Sequence, residues 1–271
     1  MPQEIFDNTS EFYIEKAASK SAMHNMHYHR GFELYYCCHG EREYFIADEF
    51  YNLSEGDIVL VPGGVLHRTA GKGATRFLVY FSVDFLSRFF SEELLQTILS
   101  NKSFCFRPDD NLRVYIEGEL GSMLEEYRER SDKTDAALAV RLCHLLLLIS
   151  TSSNNYIRSS FSDKNIGRIV RYINENYGEI ENIEDIAERF FISKYHLCRT
   201  FKKSLGVSLV SYLNTIKIRA ATKLMRDEKL NLTEIATRCG FNSSSYFCKV
   251  FKAEKRVSPS AYRKSLSANK R

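Results

Sequence analysis

Between residues 27 and 85 the chain alternates short apolar, β-branched or aromatic runs (32–38, 43–47, 57–61 and 76–82) with glycines at 31, 40, 56, 63, 64, 71 and 73. Runs this short, with no helical period between them, predict an all-β barrel or sandwich. After Asp84 the period changes. Residues 91–100 and 111–130 place apolar side chains three and four apart, as at Leu112, Tyr115, Ile116, Leu120, Met123, Leu124 and Tyr127. Residues 134–150 predict a second, more apolar helix carrying Leu138, Leu142, Leu145, Leu146 and Ile149. Its apolar surface is broader than one stripe and needs a cover, either the barrel or a second copy of the chain. Residues 150–163, STSSNNYIRSSFSD, lose the helical period and read as a linker.

Past the linker the pattern is duplicated. Ile186-Ala187 recurs 49 residues later as Ile235-Ala236, and the segment from His196 to Lys202 recurs 50 residues later from Tyr246 to Lys252. The second copy therefore holds one extra residue in its turn. Each copy predicts a short helix, a turn and a second helix. Asn182, with Asp185 in the first turn, starts one short helix, and the pair Asn231 and Glu234 starts the other; Ser193 and Ser243 cap the second helices. Leu197 with Phe201, and Phe247 with Phe251, are spaced i to i+4 and face inward. The opposite sides carry Lys194, Tyr195, Cys198, Arg199, Lys202 and Lys203 in the first copy, and Ser244, Ser245, Cys248, Lys249 and Lys252 in the second. That is the pattern of a helix-turn-helix, whose second helix enters the DNA major groove. Between the copies, residues 208–227 predict one helix of about 20 residues and roughly 30 Å, close to the ~34 Å that separates successive major grooves on one side of B-DNA.

Charge sharpens this division. The chain has 271 residues and a net charge of +4, which by itself says little. Residues 1–160 hold 16 Lys/Arg against 23 Asp/Glu, a net −7, whereas residues 161–271 hold 22 against 11, a net +11. A basic half joined to an acidic one points to a nucleic-acid-binding module attached to something else. Seven scattered cysteines without a Cys-x-x-Cys pair argue against a disulfide framework or a structural zinc site. The longest purely apolar run, 145–149, is far short of a membrane span, and Met-Pro-Gln-Glu does not begin a signal peptide. A reduced, cytoplasmic protein with no membrane partner is expected.

The basic half resembles the AraC/XylS-type bacterial transcription regulators over about residues 165–265. The resemblance is carried by Ile186-Ala187, the run from Ser193 to Lys203, Gly206, and Arg219-Ala220-Ala221 with Leu224. The second copy adds Ile235-Ala236, Gly240-Phe241, Ser245-Tyr246-Phe247, Phe251-Lys252 and the run from Ser258 to Arg263. It implies a seven-helix DNA-binding domain with two helix-turn-helix units. Base-facing positions would be Tyr195, Cys198 and Arg199 in the first unit and Ser244, Ser245, Cys248 and Lys249 in the second. Phosphate contacts are implied for Ser193, Lys194, Lys202 and Lys252. The sequence departs from the family where a glycine commonly follows the terminal Phe-Lys-Lys segment: Lys255-Arg256 stand there, which predicts a different end for the second reading helix.

In the acidic half, His27-x-His29-x3-Glu33-x6-Gly40 followed by Gly56-x5-Pro62-x-Gly64-x2-His67 resembles both motifs of the cupin barrel, except that Gly71 or Ala70 stands where the last motif position is usually Asn. In cupin enzymes the matching side chains, here His27, His29, Glu33 and His67, converge on a metal. Three imidazoles and a carboxylate suit iron, manganese, nickel or zinc. The same residues, with Tyr35 on the same strand parity, equally suit direct hydrogen bonding to a polar effector, or a purely structural role at the turn before Gly31.

The chain is therefore expected to be multidomain: residues 1–150 an all-β cupin-like barrel with flanking helices, for sensing and dimerisation, 151–163 a linker, and 164–271 an all-α domain with two helix-turn-helix units. The expected function is a sequence-specific transcription regulator, an activator, responding to a small, carbohydrate-like effector. Its expected partners are double-stranded promoter DNA, that effector, a second copy through helices 111–150, and RNA polymerase. A divalent metal at His27, His29, Glu33 and His67 is the alternative to the ligand role. The competing function is a metal-dependent cupin enzyme with an accessory DNA-binding domain.

Overall fold

A computed structural model describes residues 3–4, 11–19, 26–71, 73–99, 104–151, 157, 164–227 and 229–268. The chain divides into two compact units, one over Glu4–Ser162 and one over Asp163–Arg271. The first is β-rich with flanking helices and the second is helical, the fold class that the periodicities predict.

The first unit holds two five-stranded sheets. One has the order β1 (Gln3–Glu4), β3 (His27–Tyr28), β8 (His67–Ala70), β5 (Arg42–Ile46), β6 (Glu49–Leu53). The other runs β10 (Phe104–Phe106), β7 (Ile58–Val61), β4 (Phe32–Gly40), β9 (Ala74–Phe81), β2 (Phe12–Ser19). Successive side chains of a strand point to opposite faces, and in β4 both faces are covered. Tyr35 and Cys37 join Tyr44, Ile46, Tyr51, Val59, Val61 and Leu78 in a core that draws on both sheets. Phe32, Leu34, Tyr36 and Cys38 join a second core with Leu60, Val79 and the helices. The continuous apolar run of β4 thus follows from burial on two sides.

Four helices supply that second cover: α1 (Val83–Ser87), α2 (Glu92–Ile98), α3 (Asp110–Glu129) and α4 (Thr134–Thr151). Ser82, Ser91 and Asp109 cap the first three by accepting a backbone N–H from three residues on. Arg141 of α4 donates to Glu119 and Glu126 of α3, at 2.9 and 3.3 Å. By length and composition alone α4 is apolar enough to cross a membrane. Its Leu138, Leu142, Leu145, Leu146 and Ile149 are buried in the sheet-and-helix core, which accounts for that apolarity. Of the expected linker only Thr151 and Ile157 are described. Ile157 packs against the barrel core, its N–H donating to Cys105 O at 2.8 Å.

The second unit has seven helices among its described residues: α5 (Lys164–Asn176), α6 (Ile183–Arg189), α7 (Lys194–Leu205), α8 (Leu209–Leu224), α9 (Leu232–Arg238), α10 (Ser244–Lys255) and α11 (Pro259–Ala268). Both short helices begin with complete capping boxes, Asn182 with Asp185 and Asn231 with Glu234. The helix α8 serves two cores. Tyr212 packs edge-on against Phe201 and donates to Asn174, while Ile218, Ala221 and Met225 pack with Ile235, Phe247 and Phe251.

Two sequence expectations are corrected here. The connector is 16 residues, about 24 Å, rather than 20 and 30 Å. Ser208 stands outside the helix because its Oγ accepts from Ser211 N, and Arg226 and Asp227 donate back to Lys223 and Leu224, tightening the chain into a turn. The second reading helix does not end differently from the first. Both run 12 residues and close on a left-handed residue whose N–H donates four residues back, Gly206 to Lys202 and Arg256 to Lys252. The duplicated turns show the reverse pairing, with Phe191 left-handed in the first copy and Gly240 in the second. Each copy has one glycine and one larger residue in this conformation, which costs a side-chain-bearing residue about 1 kcal/mol.

Arg256→Gly is therefore expected to stabilise the helical unit by about 1 kcal/mol, read as a higher urea midpoint at unchanged slope. A lower midpoint would show that Arg256 is held there by something stronger than backbone preference.

Candidate functional site

Two groups of side chains carry chemistry, one in each unit. In the barrel, β3 and β8 pair His27 with His67 directly, and their rings stand 4.2 Å apart. Glu33 comes from β4 in the opposite sheet. His29 lies in the turn between β3 and β4, where its backbone oxygen accepts from Gly64 N at 2.6 Å and so ties the first motif to the second. None of the four side-chain-bearing residues is more than 4% exposed.

The hydrogen bonds fix how the imidazoles face. His29 Nδ1 lies 2.7 Å from Gly31 O, and His67 Nδ1 lies 2.9 Å from Val65 O. A carbonyl can only accept, so both Nδ1 atoms carry the proton. Each Nε2 then points at Glu33 Oε2, at 3.3 Å from His29 and 3.7 Å from His67. Both Nε2 atoms are buried without a hydrogen-bond partner. The other carboxylate oxygen, Oε1, accepts from Tyr44 at 3.0 Å. Burial pushes the Glu33 carboxyl up, but the imidazoles of His67 and His29 outweigh it and hold the group well below the usual carboxylate range. Burial, with Glu33 next, pushes the Tyr44 phenol well above its ordinary value.

The lowering at Glu33 needs positive charge on the Nε2 side of the rings, which a proton or a metal ion can supply. One ligand atom from each of His27, Glu33 and His67 falls within 4.8 Å of the others, a spacing that a divalent ion can bridge. The anchored Nδ1 donors are the outer hydrogen bonds that metal-ligating histidines usually have. The set therefore fits a metal by donor chemistry, with His29 as the fourth candidate. Tyr35 stands one step away, its ring 5.1 Å from that of Tyr44. Tyr44 and Tyr80 are neighbours of this set that the sequence reading missed. Tyr80 pairs with Glu33 across the sheet, accepts from Gly31 N at 3.0 Å and meets the His29 ring edge-on. Only the parity of β5 and β9 could have pointed to them.

In the helical unit, Ser193 and Ser243 cap α7 and α10 by accepting from His196 and Tyr246 N–H. Behind these helices Leu197, Phe201, Phe247 and Phe251 are buried. In front, Lys194, Tyr195, Arg199 and Lys202 are exposed on α7, with Cys198 half-buried among them; Ser244, Ser245, Cys248, Lys249 and Lys252 are all exposed on α10. Each set thus lies on one outward helix face. Tyr195 is 74% exposed. Lys194 is ion-paired to Glu184 of α6. Phe191, at the turn before α7, is 94% exposed and was also missed, since an aromatic residue reads as core. All seven cysteines are free.

Two family models match the chain: an AraC-like ligand binding domain over residues 8–147 and a helix-turn-helix domain over residues 186–265. The regulatory protein PocR of Salmonella typhimurium is 31% identical over 107 residues, 40% of this chain and 35% of PocR. The arabinose operon regulatory protein of Escherichia coli is 26% identical over 211 residues, 77% of this chain and 72% of that protein. The transcriptional activator RhaS of Escherichia coli is 29% identical over 143 residues, 52% of this chain and 51% of RhaS. The matched part spans about a third of PocR and half of RhaS. With the ligand-binding model covering more than half of its residues and the helix-turn-helix model following it, the chain belongs to the AraC family.

Proposed function

We propose that the protein is a sequence-specific, DNA-binding transcription regulator whose barrel takes a small effector. The observation that carries the reading is the pair of capped helices α7 and α10, each burying apolar residues behind and presenting polar and basic side chains in front. The resemblance to the family assigns Tyr195, Cys198, Arg199, Ser244, Ser245, Cys248 and Lys249 to bases, and all of them lie on the outward sides of the two helices. It gives phosphate contacts to Ser193, Lys194, Lys202 and Lys252, which are all exposed. The Ser193 oxygen accepts the cap hydrogen bond and leaves its own O–H to donate. Lys194 must exchange Glu184 for a phosphate, a small cost at an exposed pair. The relatives are regulators by name, RhaS an activator, which supports regulation, with RNA polymerase as a partner, over the enzyme alternative. The setting is the bacterial cytoplasm.

Arg199→Ala is expected to cost roughly 1–3 kcal/mol on a selected operator and much less on random duplex in a mobility-shift titration at fixed salt. Equal loss on both DNAs would make Arg199 a phosphate contact, and a wild-type protein without sequence preference would end the reading.

The barrel set His27, His29, Glu33, Tyr35 and His67 is the proposed effector site. Its burial favours a small cation over a sugar-sized molecule, because no group in it is open to solvent. His27, Glu33 and His67, with His29, would hold a divalent ion, which would supply the positive charge that the two Nε2 atoms and the carboxylate lack. Zinc, manganese or nickel is expected to raise the Tm of the full chain by several degrees, and His67→Gln is expected to remove the shift. No shift with any of the three assigns the set to direct hydrogen bonding of an organic effector.

The helices α3 and α4 are proposed to join two copies. Val114 and Tyr115 on α3, and Val140 and Leu147 on α4, are exposed apolar residues. A Cβ placed on Gly118 or Gly121 would meet nothing within 4 Å, so another helix has room to approach. Val140→Glu with Leu147→Glu is expected to weaken the dimer at least about tenfold, some 1.4 kcal/mol, in sedimentation equilibrium. An unchanged association constant would move the interface elsewhere.

A further inference from the structure

The connector α8 carries a lysine where its neighbours are apolar. Lys217 is 4% exposed, and burial pushes its ammonium below the ordinary lysine value. A buried charge is tolerated only when hydrogen-bonded. Its Nζ donates to Ile180 O at 2.8 Å and to Gly240 O at 2.6 Å, and stands 5.7 Å from the centre of the Phe241 ring. Ile180 precedes α6 of the first helix-turn-helix, and Gly240 lies in the turn between α9 and α10 of the second. One ammonium on the connector therefore holds one backbone carbonyl from each reading unit.

The same place is a direct backbone contact. Gly240 has φ +73, and a Cβ there would come within 2.6 Å of Gly178 O. A Cβ on Gly178 would in turn lie 3.2 Å from Arg238 O. The segment entering the first unit and the turn of the second thus meet without a side chain between them. The first unit leans on α8 at Tyr212 and the second at Ile218 and Ala221, with one further hydrogen bond from Asn214 of α8 to the Tyr246 hydroxyl at 3.0 Å.

We infer that Lys217, with the Gly178–Gly240 contact, is a clamp that fixes α7 relative to α10, so that the two reading helices engage DNA as one rigid body. Lys217 is a positioning residue that touches no DNA. The inference rests on the DNA-reading function proposed above. It turns that function into a constraint on operator geometry, since a rigid pair tolerates only one phase between its two base elements.

The test uses the full chain and a site selected from random duplex, divided by footprinting into two elements. Four probes are compared at one salt concentration: the whole site, each element alone, and the whole site with about 5 base pairs, half a helical turn, inserted between the elements. Lys217→Met is expected to lose at least about tenfold on the whole site, stay within about twofold on single elements, and suffer a smaller insertion penalty than wild type. Lys217→Arg, which can donate to both carbonyls, is expected to recover most of the loss. Gly178→Ala, a mild wedge that leaves the charge in place, is expected to give the same signature at about threefold, and it decides the matter should Lys217→Met not fold. Hydrogen exchange on the free protein reads the clamp without DNA: in Lys217→Met, amides around residues 178–180 and 240 should exchange faster while α7 and α10 stay protected. Whole-site affinity unchanged in both variants, losses running in parallel on whole and single elements, or unchanged exchange would overturn the clamp. A wild-type protein that selects no site would overturn the DNA-reading proposal instead, and exchange would still judge the clamp.

Discussion

Burial of β4 on both faces is the constraint on which the barrel unit depends. A strand has one period of two, and here each phase is committed to a different core. Odd-numbered Glu33, Tyr35 and Cys37 fill the space between the sheets, while Phe32, Leu34, Tyr36 and Cys38 meet the helices. A one-residue slip would carry Glu33 away from the histidines and drive Leu34 into their place. The direct pairing of Glu33 with Val61 and Tyr80 shows how that register is held from both neighbouring strands. Only a strand so fixed can keep a buried carboxylate among three imidazoles.

The helical unit solves a comparable problem with α8, one element serving two cores. Its two halves are copies that have drifted in where they place their left-handed residues. In the first copy the glycine ends the reading helix, and Phe191 takes the strained position in an open turn with room for its ring. In the second the turn lies against Gly178, where no side chain fits, so glycine is required there and Arg256 ends the reading helix. The departure from the family pattern at Arg256 thus concerns which residue adopts a conformation, and the conformation itself is unchanged.

How much could be read in advance follows from the range of the interactions involved. Helix starts were legible because a cap is a local hydrogen bond: Asn182, Asn231, Ser193 and Ser243 each bond a residue three positions on. The histidine and glutamate set was legible from spacing, but its partners Tyr44 and Tyr80 were not, since they arrive across sheet pairings and between sheets. Strands β2, β6, β8 and β10 were missed because they are short or mix polar residues into their exposed face. The connector was drawn too long because nothing in its apolar period marks the turn after Leu224, which rests on backbone hydrogen bonds. Lys217 was invisible for the opposite reason. A lone lysine on an amphipathic helix reads as solvated surface, and only the approach of two distant carbonyls makes its burial possible.

The histidine cluster and the exposed helical face are linked by one short stretch of β4. His27 and His67 belong to one sheet and Glu33 to the other, so whatever occupies the cluster bears on the junction between the two sheets. Three residues beyond Glu33, on the opposite face of the strand, Tyr36 donates to Glu117 of α3. Glu117 lies one turn from Val114 and Gly121, on the flank of the apolar stripe. A change at Glu33 that shifted β4 along its length would therefore act on α3 through that hydrogen bond and through the buried core that the two elements share. An effector biases such an equilibrium only by the difference in its affinity for the two arrangements. A ligand held by groups from both sheets at once, as this cluster would hold a cation, can distinguish arrangements that differ at the junction of the sheets.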